Sequence, residues 1–210
     1  MSIADLRRDY SGEPLDEASA EADPFRQFSV WFTQALEVEG DPTAMALATA
    51  TRDGRPSVRT VLLKGVDDRG FLFYTNYHSR KAREMDQTGL ASLLFLWRSV
   101  DRQVRIEGKI EKVTEAESDA YFATRPVESR WSVYASRQSE RVESRAALES
   151  RYEIARHTYG ETVPRPRWWG GYRVVPDECE FWQGRPNRLH DRLQYSKQSN
   201  GLWTRERLAP

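Results

Sequence analysis

Twelve residues near the C-terminus, FWQGRPNRLHDR at 181–192, hold Arg185, Arg188 and Arg192 together with His190, one of three histidines in the chain. A solvated turn accounts for one or two such charges. The full set, beside Trp182, suits a segment that closes over an anionic, ring-containing ligand.

A second cluster lies in YTNYHSRKA, 74–82. A strand ends there, a turn follows, and Ser79 caps a helix whose first turn carries Arg80 and Lys81. Cations at a helix N-terminus oppose its dipole, at roughly a few tenths of a kcal/mol each. An anion held by the free N–H groups removes that conflict; the alternative is an ordinary exposed helix start. In AYFATRPVESR, 120–130, Tyr121 and Arg125 are four apart on one helical face, with Ser129 just past Pro126. Two hydroxyls and a guanidinium make a second phosphate clamp, or merely an amphipathic helix end.

Other signals are weaker. Arg59 and Lys64 in SVRTVLLKG are five apart and face opposite ways in a regular strand. They are unrelated charges, or they reach one ligand around a barrel rim. Gln138 and Ser139 in SRQSER read as the cap of a helix over 139–157. Arg7, Arg8, Asp9 and Tyr10 form a solvated charge cluster unless their segment folds over a site.

Several chemistries have no signature. The histidines lack metal-ligand spacing, so no metal site is expected. There is no glycine-rich phosphate loop and no nucleophile elbow. A single cysteine, Cys179, excludes an intrachain disulfide and reads as an inert strand residue. Cation clusters and aromatics without a nucleophile suit an enzyme whose hard chemistry belongs to an organic cofactor.

The elements that must position these groups are mostly strands. Residues 1–22 read as a mobile polar arm and 23–210 as one domain. DPFRQFSVWFTQAL opens with an Asp cap and Pro, and Phe25, Phe28, Phe32, Ala35 and Leu36 mark its apolar face. TAMALATA, SVRTVLLKGV and FLFYTN form a meander. LASLLFLW is apolar enough for burial on both faces. RQVRIEGKIEKV alternates, with Gly108 placed for a bulge or a close backbone approach. TEAE at 114–117 is a capping box whose helix stops at Pro126. WWGGYRVV, ECEFWQG and LWTRERLAP supply the last strands. About seven antiparallel strands with inserted helices fold most economically as a closed or split antiparallel β-barrel, mainly β with helices outside.

Composition limits the partners. Lys+Arg and Asp+Glu balance at 32 each, which argues against a nucleic-acid-binding barrel. The N-terminus has no apolar signal-peptide core, and no apolar run approaches the roughly 20 residues that span a membrane. A soluble, cytoplasmic protein is expected.

Taken in order, RRDY, RTVLLK, FYTN, SRKA, RQVRIEGK, YFATRP, SRQS, WGGYRV, EFWQG, RLHDR and the terminal RLAP closely resemble the pyridoxamine 5′-phosphate oxidase family over nearly the whole chain. The resemblance implies a homodimeric, FMN-binding split β-barrel with active sites at the dimer interface. It implies oxidation of pyridoxamine and pyridoxine 5′-phosphate to pyridoxal 5′-phosphate, with O2 reduced to hydrogen peroxide. Carried over by position, Arg59, Arg80 and Lys81 are partners of the FMN phosphate. Thr60, Val61, Leu62, Leu63 and Lys64 run along the flavin. Tyr74, Thr75, Gln103, Gln138, Ser139, Trp182 and Arg192 complete that site. Lys64, Tyr121, Arg125 and Ser129 clamp the substrate phosphate. Arg188, Leu189 and His190 meet the substrate ring, with Arg188 and His190 catalytic, and Arg7 to Tyr10 form a lid. Arg188 and His190, two apart, would share a strand face while Asp191 points away and pairs with a neighbour. Two rival expectations remain: a split-barrel FMN oxidoreductase with another substrate, and a non-enzymatic pyridoxal phosphate carrier. Tyr134 stands where the family suggests tryptophan, and residues 12–24 are poor in basic side chains.

Overall fold

Asp23 accepts from the amides of Phe25 and Arg26 and Pro24 takes the first helical position, so α1 runs Pro24–Val38. Its buried stripe is Gln27, Phe28, Trp31 and Ala35. Leu36, expected on that face, is 56% exposed, because it sits about 100° further round the helix than Ala35. The computed structural model describes residues 2–6 and 8–210; Arg7, one of the expected lid residues, lies outside them.

Nine strands of the described residues form one antiparallel sheet: β1 Ala44–Ala50, β2 Pro56–Leu62, β3 Gly65–Asp67, β4 Gly70–Asn76, β5 Leu90–Trp97, β6 Arg102–Lys112, β7 Trp169–Gln183, β8 Asp191–Lys197 and β9 Trp203–Arg207. The order is β2-β1-β5-β6-β7-β4-β3, with β8 on β7 and β9 on β8. The amide of Leu63 bonds to the Thr43 carbonyl, and that of Lys64 to the Leu72 carbonyl. The chain thus passes from pairing with β1 to pairing with β4, which curls the sheet into a split antiparallel barrel with the helices outside.

The two strands expected at 168–175 and 178–184 are one strand, β7. Its first half pairs with β4 and its second half with β8, while β6 runs along the opposite edge. The β6–β7 register slips between Glu107, opposite Glu178, and Gly108, opposite Pro176, which leaves Asp177 unpaired. Pro176 has no N–H for the ladder, so the irregularity falls there. A Cβ on Gly108 would sit 2.1 Å from the Val175 carbonyl oxygen. The glycine therefore marks both a bulge and a close backbone approach.

Phe28, Phe71, Phe95 and Trp97 pack edge-on or tilted at the centre of the core. β5 buries only alternate residues, and Leu90 and Leu96 remain 54% and 57% exposed on a single protomer, which corrects the expectation of burial on both faces. Cys179 is fully buried on β7, and burial pushes its thiol well above the usual range.

The helices differ more from expectation. α2 Arg80–Thr88 has Ser79 as its cap and ends at Gly89, with φ 72°. The capping box of Thr114 and Glu117 opens α3, Glu115–Thr124. Pro126 ends α3 but also begins α4, Val127–Ala135, a helix absent from the sequence reading. α5, expected from 139, covers Arg145–Tyr159 behind the Ser144 cap. Ser139 is left in a turn at φ 73°, its hydroxyl accepting from the Arg80 amide. β8 was also not expected. Residues 186–188 form a short 3-10 turn, so Arg188 and His190 do not share a strand face. Among the described residues, no helix is long and apolar enough to cross a membrane.

Candidate active site

A cavity of about 780 Å³ opens between β2, β4, the start of α2 and the α3–α4 corner. From β2 and its end come Arg59, Thr60, Val61, Leu62 and Lys64. Strand alternation is interrupted after Leu62, so Arg59 and Lys64, five apart, reach the same space. Leu63 turns inward instead and joins the hydrophobic core. Tyr74 and Thr75 line the cavity from β4, and Arg80 and Lys81 from the first turn of α2. Tyr121, Arg125 and Ser129 line it from the α3–α4 corner, and Gln138 and Ser139 from the turn after α4. Among the described residues its wall carries five cations and no carboxylate.

The α2 end is tightly bonded. Lys81 Nζ donates to Thr75 Oγ1 at 3.2 Å and to Gln138 Oε1 at 3.3 Å. Lys81 is buried, which pushes its ammonium down to about 8, with the nearby Arg59 adding to the effect. Arg59 donates to the Leu47 carbonyl, Thr49 Oγ1 and Ser57 Oγ. Behind them Glu84 accepts from Arg80 Nε at 2.7 Å. Burial alone would raise the Glu84 carboxyl; bonds from Ser57, Thr49 and Arg80 instead hold it at about 2.

The other end is aromatic. Tyr74 and Tyr121 stack with ring centroids 3.9 Å apart, and Trp169 lies parallel to both. The Arg125 guanidinium sits 4.6 Å over the Trp169 ring and donates to the Ser129 carbonyl at 2.9 Å. Burial shifts Arg125 downward, opposed by Tyr121.

The remaining expected residues form a second group, outside the cavity. Gln103, Trp182 and Arg192 are register neighbours across β6, β7 and β8. Arg192 is held by both oxygens of Glu180, at 2.8 and 3.1 Å. Arg188 adopts a left-handed backbone, φ 61°, and Leu189 is 69% exposed. His190 lies 4.6 Å from Trp182, ring to ring, and Tyr10 meets both edge-on. The Arg185 amide donates to His190 Nδ1 at 3.1 Å. That bond assigns the proton of the neutral ring to Nε2. Arg8 pairs with Asp101 at 2.6 Å, while Asp9 is exposed. Asp191, expected to point away, pairs with Arg207 and Arg185 and accepts from the Leu15 amide. Further bonds from Arg205 and Arg207 fasten residues 15–21 to β9.

Sequence reasoning missed Glu84, Thr49, Ser57 and Trp169. The Arg80–Glu84 spacing of four was the one available signal.

Two family descriptions match the chain: "Pyridoxamine 5′-phosphate oxidase" over residues 32–159 and "Pyridoxine 5′-phosphate oxidase C-terminal dimerisation region" over 169–210. A pyridoxine/pyridoxamine 5′-phosphate oxidase of Paraburkholderia phymatum is 55% identical over 210 residues, covering 100% of this chain and 99% of the relative. One from Thermosynechococcus vestitus is 56% identical over 209 residues, covering 99% of each. The crystal structure of PhzG from Burkholderia lata, in complex with tetrahydrophenazine-1-carboxylic acid, has TM-score 0.89 and 36% identity, covering 95% of this chain and all of PhzG. A pyridoxamine 5′-phosphate oxidase-related, FMN binding protein of Nostoc punctiforme, 16% identical, shares the fold at TM-score 0.74 over 90% of this chain and all of its own.

Proposed function

The chain belongs to the pyridoxamine 5′-phosphate oxidase family, an oxidoreductase family, and on that premise we propose that it oxidises pyridoxamine and pyridoxine 5′-phosphate to pyridoxal 5′-phosphate, using FMN and reducing O2 to hydrogen peroxide. One observation carries the reading: the cavity wall holds cations at both ends and no carboxylate among the described residues. Two phosphorylated ligands lying face to face need two such groups.

The residues fit FMN. Arg59, Arg80 and Lys81 would hold its phosphate, with Ser139 and Gln138 beside them. The backbone of Thr60 to Leu62 and the polar groups of Tyr74 and Thr75 would flank the ring system. When bound, FMN supplies the two-electron acceptor that the polypeptide lacks.

The protein's share is binding, orientation and charge. Lys64, Tyr121, Arg125 and Ser129 would hold the substrate phosphate. Arg188, with no carboxylate partner among the described residues, would hold the substrate ring and steady the charge that develops on it. His190 would act as a donor through Nε2, because its Nδ1 is occupied as an acceptor. That role holds the substrate in place rather than removing a proton from it. Gln103, Trp182, Arg188, His190 and Arg192 would reach the cavity of a partner copy. Two facts support this: all but Gln103 lie in the segment matching a dimerisation region, and Val58, Leu90 and Leu96 leave an apolar outer face on the protomer. Residues 1–22 would serve as an arm over the barrel domain 23–210, with Tyr10 against Trp182 and His190 as the lid.

The test is spectral. Anaerobic addition of pyridoxamine 5′-phosphate to FMN-loaded protein bleaches the flavin band, and O2 restores it with release of peroxide. A carrier of pyridoxal phosphate gives no bleaching. An oxidoreductase for another substrate bleaches only with that substrate.

A further inference from the structure

Glu84 has no role in the reading above, yet it is the most heavily bonded carboxylate near the cavity. It lies one turn along α2 from Arg80 and is 2% exposed. Its Oε1 accepts from Arg80 Nε at 2.7 Å. Its Oε2 accepts from the hydroxyls of Thr49 and Ser57, each at 2.5 Å, and from Arg59 Nη2 at 3.3 Å.

The two hydroxyls define what Glu84 does. Each has a single proton. Thr49 and Ser57 give theirs to Glu84 and present lone pairs to Arg59, which donates to them at 2.7 and 2.5 Å. Without a strong acceptor on the far side, those protons are free to turn toward Arg59 and set donor against donor. Glu84 thus orders two relays that fix one arginine, and it grips a second directly. β1, β2 and α2 are tied together at this point.

We propose that Glu84 is a positioning residue that holds Arg59, through Thr49 and Ser57, and Arg80 in place to receive a phosphate. The proposal rests on the reading that the FMN phosphate occupies the α2 end of the cavity. It opposes the expectation from charge alone. Removing a carboxylate from among three cations would by Coulomb attraction tighten an anion. If position governs, removing it loosens the anion.

The experiment compares FMN with riboflavin, which has the same ring system and no phosphate. Both are titrated by fluorescence quenching against wild type, Glu84→Gln and Thr49→Val. Glutamine keeps the shape but has one acceptor oxygen, so its NH2 faces donors on one side. The expected result is a loss of FMN affinity of at least about tenfold in E84Q, the loss of one charge-assisted contact, with riboflavin affinity unchanged. Thr49→Val breaks one relay and leaves the charge intact; it should lose about threefold, again for FMN alone. FMN affinity unchanged or tighter in E84Q overturns the proposal. So does an equal loss for both ligands, which marks a merely structural role. If wild type binds FMN no better than riboflavin, the reading of the cavity itself falls, and the proposal with it. If E84Q does not fold, Thr49→Val decides alone.

Discussion

Replacing Arg125 with alanine tests the substrate end of the cavity separately from the cofactor end. Arg125 caps α3, lies over Trp169 at 4.6 Å and donates to the Ser129 carbonyl. It has no carboxylate partner among the described residues, so its remaining N–H groups are available to an anion. A charge-assisted bond from a guanidinium to phosphate contributes about 1.5–3 kcal/mol. At about 1.4 kcal/mol per decade, KM for pyridoxamine 5′-phosphate rises roughly tenfold to a hundredfold. The phosphate is remote from the oxidised carbon, so the contact is equally strong in ground and transition states, and kcat stays near wild type. The assay is peroxide release against substrate concentration at saturating FMN and O2, with an FMN titration as control. Arg125→Lys keeps charge but loses the fork and the stack on Trp169, and falls between the two. A KM within about twofold of wild type refutes the clamp. A rise in KM with a matching loss of FMN affinity shows that the two ends of the cavity have been assigned the wrong way round.

Four other outcomes follow from the geometry. A Lys81→Ala protein and a Trp182→Ala, Arg192→Ala protein are each inactive; mixed and reassorted, they recover about a quarter of wild-type activity, the share of intact sites in a two-fold dimer with shared active sites. No recovery shows that one protomer supplies the whole site. FMN affinity falls as pH rises above about 8, because Lys81 titrates there and phosphate favours its charged form, while riboflavin affinity stays flat. A flat FMN curve contradicts this. Glu117 is held at about 2, chiefly by the Thr114 amide and hydroxyl, against burial and with help from Arg173 and Arg69. Its folded value is depressed, so its stabilisation is complete above 4.5 and is lost as pH falls from there toward about 2. Urea unfolding of Glu117→Gln should show a shallower acid limb than wild type. Gly108→Ala drives a methyl against the Val175 carbonyl and destabilises by about 1–3 kcal/mol in the same assay, without changing FMN selectivity over riboflavin.

Local chemistry was legible in the sequence and long-range pairing was not. The Asp23–Pro24 start, the Ser79 cap, the Thr114–Glu117 box and the Gly108 bulge rest on neighbouring residues, and each stands where expected. β8 was not legible, because DRLQYSK alternates weakly and is a strand only through pairing with β7 and β9. α4 was hidden by Pro126, which reads as a stop although proline also suits a helix start. The start of α5 was misplaced because Ser139 and Ser144 both offer a cap; Ser139 is instead bonded to α2. Cations of the site announced themselves by type and spacing. Glu84 did not, since an acid four residues after an arginine reads as a surface pair. Trp169 read as ordinary core until Arg125 was found on its face. The division of the expected residues into two groups is also invisible in sequence, because it is set by how distant strands pair.

The balanced total charge and the cationic cavity are compatible because acids and bases are matched elsewhere. Arg173 pairs with Asp67 and Glu117, Arg105 and Arg192 with Glu180, Arg207 with Glu17 and Asp191, and Arg8 with Asp101. Of the five cations at the cavity, Arg59 and Arg80 share one carboxylate, Glu84, which lies behind the wall. Partly buried charge of one sign is costly without a counter-ion. The downward shift of Lys81, caused by burial first and Arg59 second, is in keeping with that cost. A dianionic ligand relieves it; a neutral ring does not. On the proposed function, selectivity for phosphorylated ligands would be set by where the chain withholds its acids as much as by where it places its arginines. Neutralising the wall with further carboxylates would stabilise the empty protein while removing its preference.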